Sequence, residues 1–249
     1  MLTILDISEY QNPDNINYDK VAKEIDGVIL RIGYTGWSKG TDQFLDTHFM
    51  THYAEFKKRA TPIGIYFFGV GMTEEIATKE ANWVLSTLKK HNIVLDLPIW
   101  YDTEPSGNEA GKIGHQFMNR ESLTRIVQTF CTTIEEAGYY TGIYASEYWY
   151  KNMLIPSKLR QFDTWIANWV TEPDMNYGMW QFTSKGYVDG YNYNVDKSIT
   201  YKDYKQIIKE KGLNKLESKP DTKTPYLIFK ITDKPEDYPG FNHVRIDNI

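Results

Sequence analysis

The sequence predicts an α/β fold, an irregular barrel of eight strands with fewer helices than such barrels usually carry, followed by a short β-like tail. Three observations predict it. Short apolar runs recur from residue 2 to residue 198, and the earlier ones alternate with helical patterns, as parallel strands joined by crossover helices require. The later runs follow one another too closely for full helices. Beyond residue 212 the apolar periodicity stops.

The eight runs are LTILDIS (2–8), GVILRIGY (27–34), PIGIYFFGV (62–70), LPIWYDTE (97–104), YTGIYAS (140–146), FDTWIANW (162–169), YGMWQFTS (177–184) and YNYNVDKS (191–198). They read as buried strands bounded by turn residues. Between them, apolar residues at helical spacing occupy 46–60, 73–91 and 119–138, with Trp83, Val84 and Leu88 on one face and Ile126, Val127, Phe130 and Ile134 on another. Gly138 suits the C-terminal cap of the last of these. Strand, helix, strand in that order implies parallel pairing with right-handed crossovers. A final helix, DYKQIIKEKG (203–212), closes a body of residues 1–212.

Residues 213–225, LNKLESKPDTKTP, hold two prolines and many charges without periodicity and read as a linker. Residues 226–249 follow, with YLIFKIT and FNHVRID as two strands around DKPEDYPG. So short a piece does not fold alone, so it is expected to pack on the barrel or to pair with another chain.

Composition narrows the partners. A net charge of -5 and the lack of any Lys/Arg block argue against nucleic acid, whose binders carry a basic stripe. No apolar run approaches the roughly 18 residues of a membrane span. With 19 Tyr and 7 Trp the chain is rich in rings that stack one face while an edge hydrogen-bonds, which suits a hydroxyl-rich ligand such as sugar. The single Cys131, in the helical stretch IVQTFCTTI, excludes a disulfide framework or four-thiolate zinc site within one chain. The start, MLTILDISEYQ, lacks the basic and apolar regions of a secretory signal, so the expectation is synthesis in the cytoplasm and another route of release.

In a parallel barrel the reacting groups sit where strands end, so polar residues closing each run are the candidates. These are Asp6, Arg31 and Tyr34, Tyr66, Asp102 and Glu104, Tyr144, Trp180 and Gln181, and Asp196. Asp102 and Glu104 carry most weight, because alternate residues of a strand share a face and place both carboxyls in one pocket. Two carboxyls in a partly apolar site repel, one keeps its proton near neutral pH, and a protonated acid is what breaking a glycosidic bond needs. Taken alone, a D-x-E at a strand end is more often solvated surface, and Asp6 and Asp196 are ordinary turn residues. Their weight comes from convergence on one mouth if the barrel closes. Rival motifs are incomplete: His48 and His52 have the spacing of a helical zinc pair but Phe49 stands where that motif has Glu, GYTGWSKG lacks the ending of a phosphate loop, and no G-x-S-x-G elbow occurs. No metal or organic cofactor is called for.

The motifs LDISEYQ (5–11), GVILRIGYT (27–35), GIYFF (64–68), PIWYDTE (98–104), AGYYTGIYAS (137–146), WIANW (165–169), MWQFTSKGYVDG (179–190) and NVDKS (194–198) together resemble the glycoside hydrolase family 25 muramidases, the lysozymes typical of phage endolysins and some secreted enzymes. The resemblance spans nearly all of residues 1–205. It implies an irregular TIM-like barrel, hydrolysis of the β-1,4 bond from N-acetylmuramic acid to N-acetylglucosamine in peptidoglycan, and Glu104 as proton donor. Asp102 would steady the 2-acetamido group or the charge on the ring, with Asp6 and Asp196 on the floor and Arg31, Tyr34, Tyr66, Tyr144, Trp180 and Gln181 around the sugar. One departure is Tyr18, where many relatives have Trp. With no signal peptide, the layout is that of a phage or prophage endolysin released through a holin-type lesion, its tail serving wall binding or self-association. A barrel that binds glycan without cutting it, and a hydrolase of another acetamido sugar such as chitin, are the alternatives.

Overall fold

The computed structural model describes residues 1–36, 39–106 and 112–215. In chain order the elements are β1 (Leu2–Ile7), α1 (Tyr18–Glu24), β2 (Gly27–Thr35), β3 (Gln43–Leu45), α2 (Phe49–Lys58), β4 (Ile63–Phe68), α3 (Glu74–Lys90), β5 (Ile99–Asp102), α4 (Arg120–Glu136), β6 (Thr141–Ser146), α5 (Glu147–Asn152), β7 (Asp163–Ala167), β8 (Met179–Val188), β9 (Tyr191–Thr200) and α6 (Tyr204–Glu210). Neighbouring strands run β1, β9, β8, β7, β6, β5, β4, β2, and β1 pairs with β2 to close the ring. The eight strands of this barrel are those the apolar runs predict. β3, too short to leave a periodic signal, adds antiparallel to the end of β2.

Pairing is parallel from β1 through β2, β4, β5, β6, β7 and β8, while β9 is antiparallel to both its neighbours. That last strand corrects the expectation that every pair is parallel. β8 and β9 are joined by a tight turn at Asp189–Gly190, too short for a crossover, so they must form a hairpin. Helices start where polar side chains cap their free amides, Thr73 before α3 and Asn119 before α4. Gly138 follows α4 with φ +82°, the left-handed geometry that ends helices.

Two apolar bodies result. The larger lies between the strands and their helices, where Cys131 is fully buried. Tyr18 packs there too, edge-on to Phe56, with its hydroxyl 2.7 Å from Nδ1 of buried His52. The smaller fills the barrel itself with Ile4, Ile29, Leu97, Trp100, Trp165 and Met179, and Tyr204 and Ile208 of α6 complete it. Trp100 and Trp165 meet at 5.7 Å with rings inclined at 61°, an edge-to-face pair inside the barrel. The mouth of the barrel therefore rests on an aromatic floor.

Of the predicted linker, Asn214 is buried and bonded to the barrel, donating to the Leu95 and Leu97 carbonyls and accepting from the Tyr140 amide at 2.8 Å. Residues 216–249, which include the rest of that linker and the two tail strands, lie outside the described residues.

Candidate active site

Register builds the site. Asp6 near the end of β1 is the direct cross-strand partner of Asp196 on β9, so two carboxylates stand side by side on one face of the ladder. Asp196 is thus mid-strand, not at a strand terminus as a parallel β9 would have it, and the antiparallel turn-back brings it to the mouth. Across the barrel, Asp102 closes β5 opposite Phe68 of β4 and Tyr144 of β6. Glu104 follows two residues beyond, past Thr103, whose amide still donates to the Tyr144 carbonyl at 3.1 Å. Asp6, Asp102, Glu104 and Asp196 line one cleft of about 330 Å³ together with Arg31 and Tyr66. A second cleft of about 520 Å³, lined by Tyr144, Tyr148, Asn168 and Trp169, also reaches Glu104.

The environment of these acids opposes their ionisation. Burial over the aromatic floor, and then the neighbouring acids, push Asp6 and Asp102 well above the usual carboxylate range. The Gln181 amide pulls Asp6 back down, as the Arg31 charge does Asp102. Glu104 rises to about 7 through burial and then the charge of Asp196, and Asp196 rises to about 6 through burial. Asp102 Oδ1 is buried and accepts no hydrogen bond from any described residue. An unpartnered buried carboxyl oxygen adds to the desolvation that opposes ionisation of Asp102.

Gln181 ties the acids to the walls. Its Nε2 donates to both Asp6 oxygens at 3.2 and 3.1 Å, while its Oε1 accepts from the Tyr144 hydroxyl and the Trp169 indole N–H, each at 3.0 Å. Since adjacent strand residues face opposite sides, Trp180 points the other way, its indole N–H bonded to the Asn168 carbonyl at 2.8 Å. Trp180 lines neither cleft among the described residues. Trp169, which sequence reasoning did not single out, lines the second cleft and is 56% exposed. The signal for it was its place two residues past the end of β7 in WIANW.

Arg31 is held by carboxylates rather than left open, with Nε 2.7 Å from Asp46 Oδ2 and an Nη2 to Glu9 Oε1 distance of 2.7 Å. A β-bulge at Ile32, where two residues of β2 oppose one step of β4, changes the side-chain alternation. Arg31 and Tyr34 consequently meet, the guanidinium carbon 5.3 Å from the Tyr34 ring centre. Tyr66 stands in the first cleft against the edge of Trp165.

Behind β5 lies a polar network that the sequence did not reveal. Glu80 of α3, fully buried, accepts from the hydroxyls of Thr35 and Tyr101 at 2.6 and 2.7 Å and from the Gly71 amide at 3.1 Å. Buried His115 places its ring nitrogens 2.9 Å from Thr103 Oγ1 and 3.1 Å from the Gly71 carbonyl, and Trp149 donates to the same Thr103 hydroxyl. Tyr101 and Thr103 flank Asp102, so the acid-bearing segment is braced from its rear. Among the described residues no group of three or more His, Cys, Asp or Glu is arranged to hold a metal ion. No described helix is long and apolar enough to cross a membrane.

Residues 5–191 match the model of the glycosyl hydrolases family 25. The chain belongs to this family. Its members are glycoside hydrolases, and the four converging acids suit that chemistry. Among solved structures the chain is similar to the modular autolysin LytC of Streptococcus pneumoniae, solved with a synthetic peptidoglycan ligand, at 26% identity and a TM-score of 0.70. That match covers 80% of this chain and 46% of LytC, so the chain spans less than half the length of that protein. The catalytic domain of endolysin ply40 from bacteriophage P40 of Listeria monocytogenes shares the fold at 22% identity and a TM-score of 0.64, covering 85% of this chain and 98% of that one. A family 25 glycosyl hydrolase from Bacillus anthracis does so at 20% identity and a TM-score of 0.66, covering 84% and 92%. A comparison with curated proteins finds no match.

Proposed function

We propose that this family 25 hydrolase is a peptidoglycan muramidase that cleaves the β-1,4 bond from N-acetylmuramic acid to N-acetylglucosamine, with Glu104 as proton donor. The observation that carries the reading is the position of Glu104. It lies where two clefts meet, as an acid serving a bond between two sugars must, and it keeps its proton up to about pH 7. Glu104 gives its proton to the bridging oxygen as the C–O bond breaks. The positive charge developing on the ring lies on the Asp102 side of the cleft, water supplies the hydroxyl of the new reducing end and returns its remaining proton to Glu104, and Asp6 and Asp196 tune the field. Tyr66 offers a ring to the sugar in the first cleft, and Tyr144 and Trp169 offer rings in the second.

The likeness to an autolysin bound to a peptidoglycan ligand supports wall rather than chitin as substrate. Lysis of the bacterial wall as a phage or prophage endolysin, after holin-type release, belongs to the same proposal, with the segment 226–249 as a wall-binding or self-association accessory. The test is digestion of purified Gram-positive walls, and of chitin oligomers in parallel, with analysis of new ends. Muramic acid reducing ends from wall are expected. N-acetylglucosamine reducing ends, faster cleavage of chitin, or binding without new ends would each replace the proposal with one of its alternatives.

A further inference from the structure

Strand β5 ends at Asp102, two residues short of Glu104, and side-chain bonds take over where the ladder stops. Three of them meet on Thr103. The Trp149 indole, which can only donate, gives its N–H to Thr103 Oγ1 at 3.2 Å. A carbonyl can only accept, so His115 Nε2, 3.1 Å from the Gly71 carbonyl, carries the ring proton. In the neutral ring Nδ1 is then bare, and it accepts the Thr103 hydroxyl proton across 2.9 Å. Burial, which lowers the His115 pKa to about 4, keeps the ring neutral. Thr103 is thereby fastened to α5, to the turn at His115 and to the loop after β4.

Ser106 fastens the chain on the far side of Glu104. Its amide donates to Gln116 Oε1 at 3.0 Å and its hydroxyl to the Ile113 carbonyl at 2.9 Å, while Gln116 Nε2 donates to the same hydroxyl at 3.0 Å. Gly114 lies against this contact with φ +132°, and a Cβ there would collide with Ser106 Oγ. Residues 113–116 therefore grip the chain one residue before Glu104 and two residues after it. The grip also has a direction. Thr103 is fully buried on the rear side, whereas Asp102 and Glu104 both line the first cleft. Neighbours in an extended chain face opposite sides, so anchoring the Thr103 hydroxyl at the rear keeps the two acids at the mouth.

We propose that Thr103 and His115 are positioning residues for cleavage, which act by holding the Glu104 carboxyl at the meeting point of the two clefts. The inference rests on Glu104 as proton donor, and its test separates the two. The kcat and KM on a soluble peptidoglycan glycan would be measured for the full chain with Thr103→Val, Thr103→Ser or Gln116→Met, each alone and combined with Glu104→Gln. Thr103→Val keeps the shape and removes the hydroxyl. It should lower kcat about 10- to 100-fold with KM within about twofold of the wild type, and Thr103→Ser should recover most of the loss. In the Glu104→Gln background Thr103→Val should cost nothing further, because its effect passes through the carboxyl already removed. A kcat unchanged by Thr103→Val, or an equal loss in both backgrounds, would overturn the proposal. If melting curves show that Thr103→Val does not fold, Gln116→Met, which loosens the Ser106 side, carries the same cycle with an expected kcat loss of about fivefold and the same overturning results. If the wild type releases no new ends, or Glu104→Gln cuts as fast as the wild type, it is the reading of Glu104 as muramidase proton donor that fails. Carbon NMR titration of the Glu104 carboxyl, which needs no substrate, then decides the positioning. A midpoint of about 7 in the wild type that falls towards the ordinary 4.5 in the folded variant supports it, since a released carboxyl escapes burial and the charge of Asp196. Equal midpoints overturn it.

Discussion

Two buried carboxyls of this protein share one acidity and differ in everything else. Glu80, behind β5, and Glu104, at the mouth, are both raised to about 7, and burial is the leading cause in each. Glu80 accepts from three protein donors and lines no described cleft, so its capacity is spent on holding β2, β5 and the Gly71 loop together. Glu104 stands between two clefts beside an acid whose oxygen has no protein donor. Perturbed acidity alone therefore fails to locate chemistry here. An acid that is both perturbed and open to a ligand does locate it.

The largest expected effect separates the pair outright. Glu104→Gln keeps the shape and removes the proton, and should cost on the order of 10²-fold or more in the rate of wall cleavage, without lowering the melting temperature. Glu80→Leu should do the reverse. It strands two hydroxyls and an amide, at roughly 2–4 kcal/mol of stability in chemical denaturation, while residual folded protein still cuts. A Glu80→Leu variant of wild-type stability would show that the brace contributes nothing.

The pH dependence of stability is a smaller effect with a definite sign. Glu80 has a folded pKa of about 7 against an ordinary 4.5, so the unfolded chain binds fewer protons between those values. Its contribution is fully present below about pH 4.5 and is lost as pH rises through about 7. Glu80→Gln should flatten that decline by roughly 2–3 kcal/mol, read as unfolding free energy against pH. Smallest of all, Trp169→Phe removes one of two donors to Gln181 Oε1 while Tyr144 remains, and should lower the cleavage rate less than tenfold.

The same contrast explains what the sequence discloses. Buried strands leave continuous apolar runs, so all eight barrel strands are legible, and the spacing of Asp102 and Glu104 places both at one mouth. β3 and the short helices α1 and α5 bury too few residues to impose a period. The position of Asp196 depends on the antiparallel return of β9, a fact of pairing that no single run contains. Alternation excludes Trp180 and Gln181 from sharing a face, a rule available from the sequence alone. Tyr34 reaches Arg31 only through the bulge at Ile32, and bulges leave no mark in an apolar run. The partners of Glu80 come from segments 9 to 45 residues away, beyond any local pattern.

The central claim is that Glu104, and not its buried twin, supplies the proton. It is tested most directly by the alkaline limb of kcat/KM against pH on a soluble glycan, measured for the wild type and for Glu80→Gln. Activity should fall through about pH 7 in both, as Glu104 loses its proton. A limb that moves or vanishes in Glu80→Gln would contradict the account, because the titration that governs cleavage would then belong to the brace behind β5.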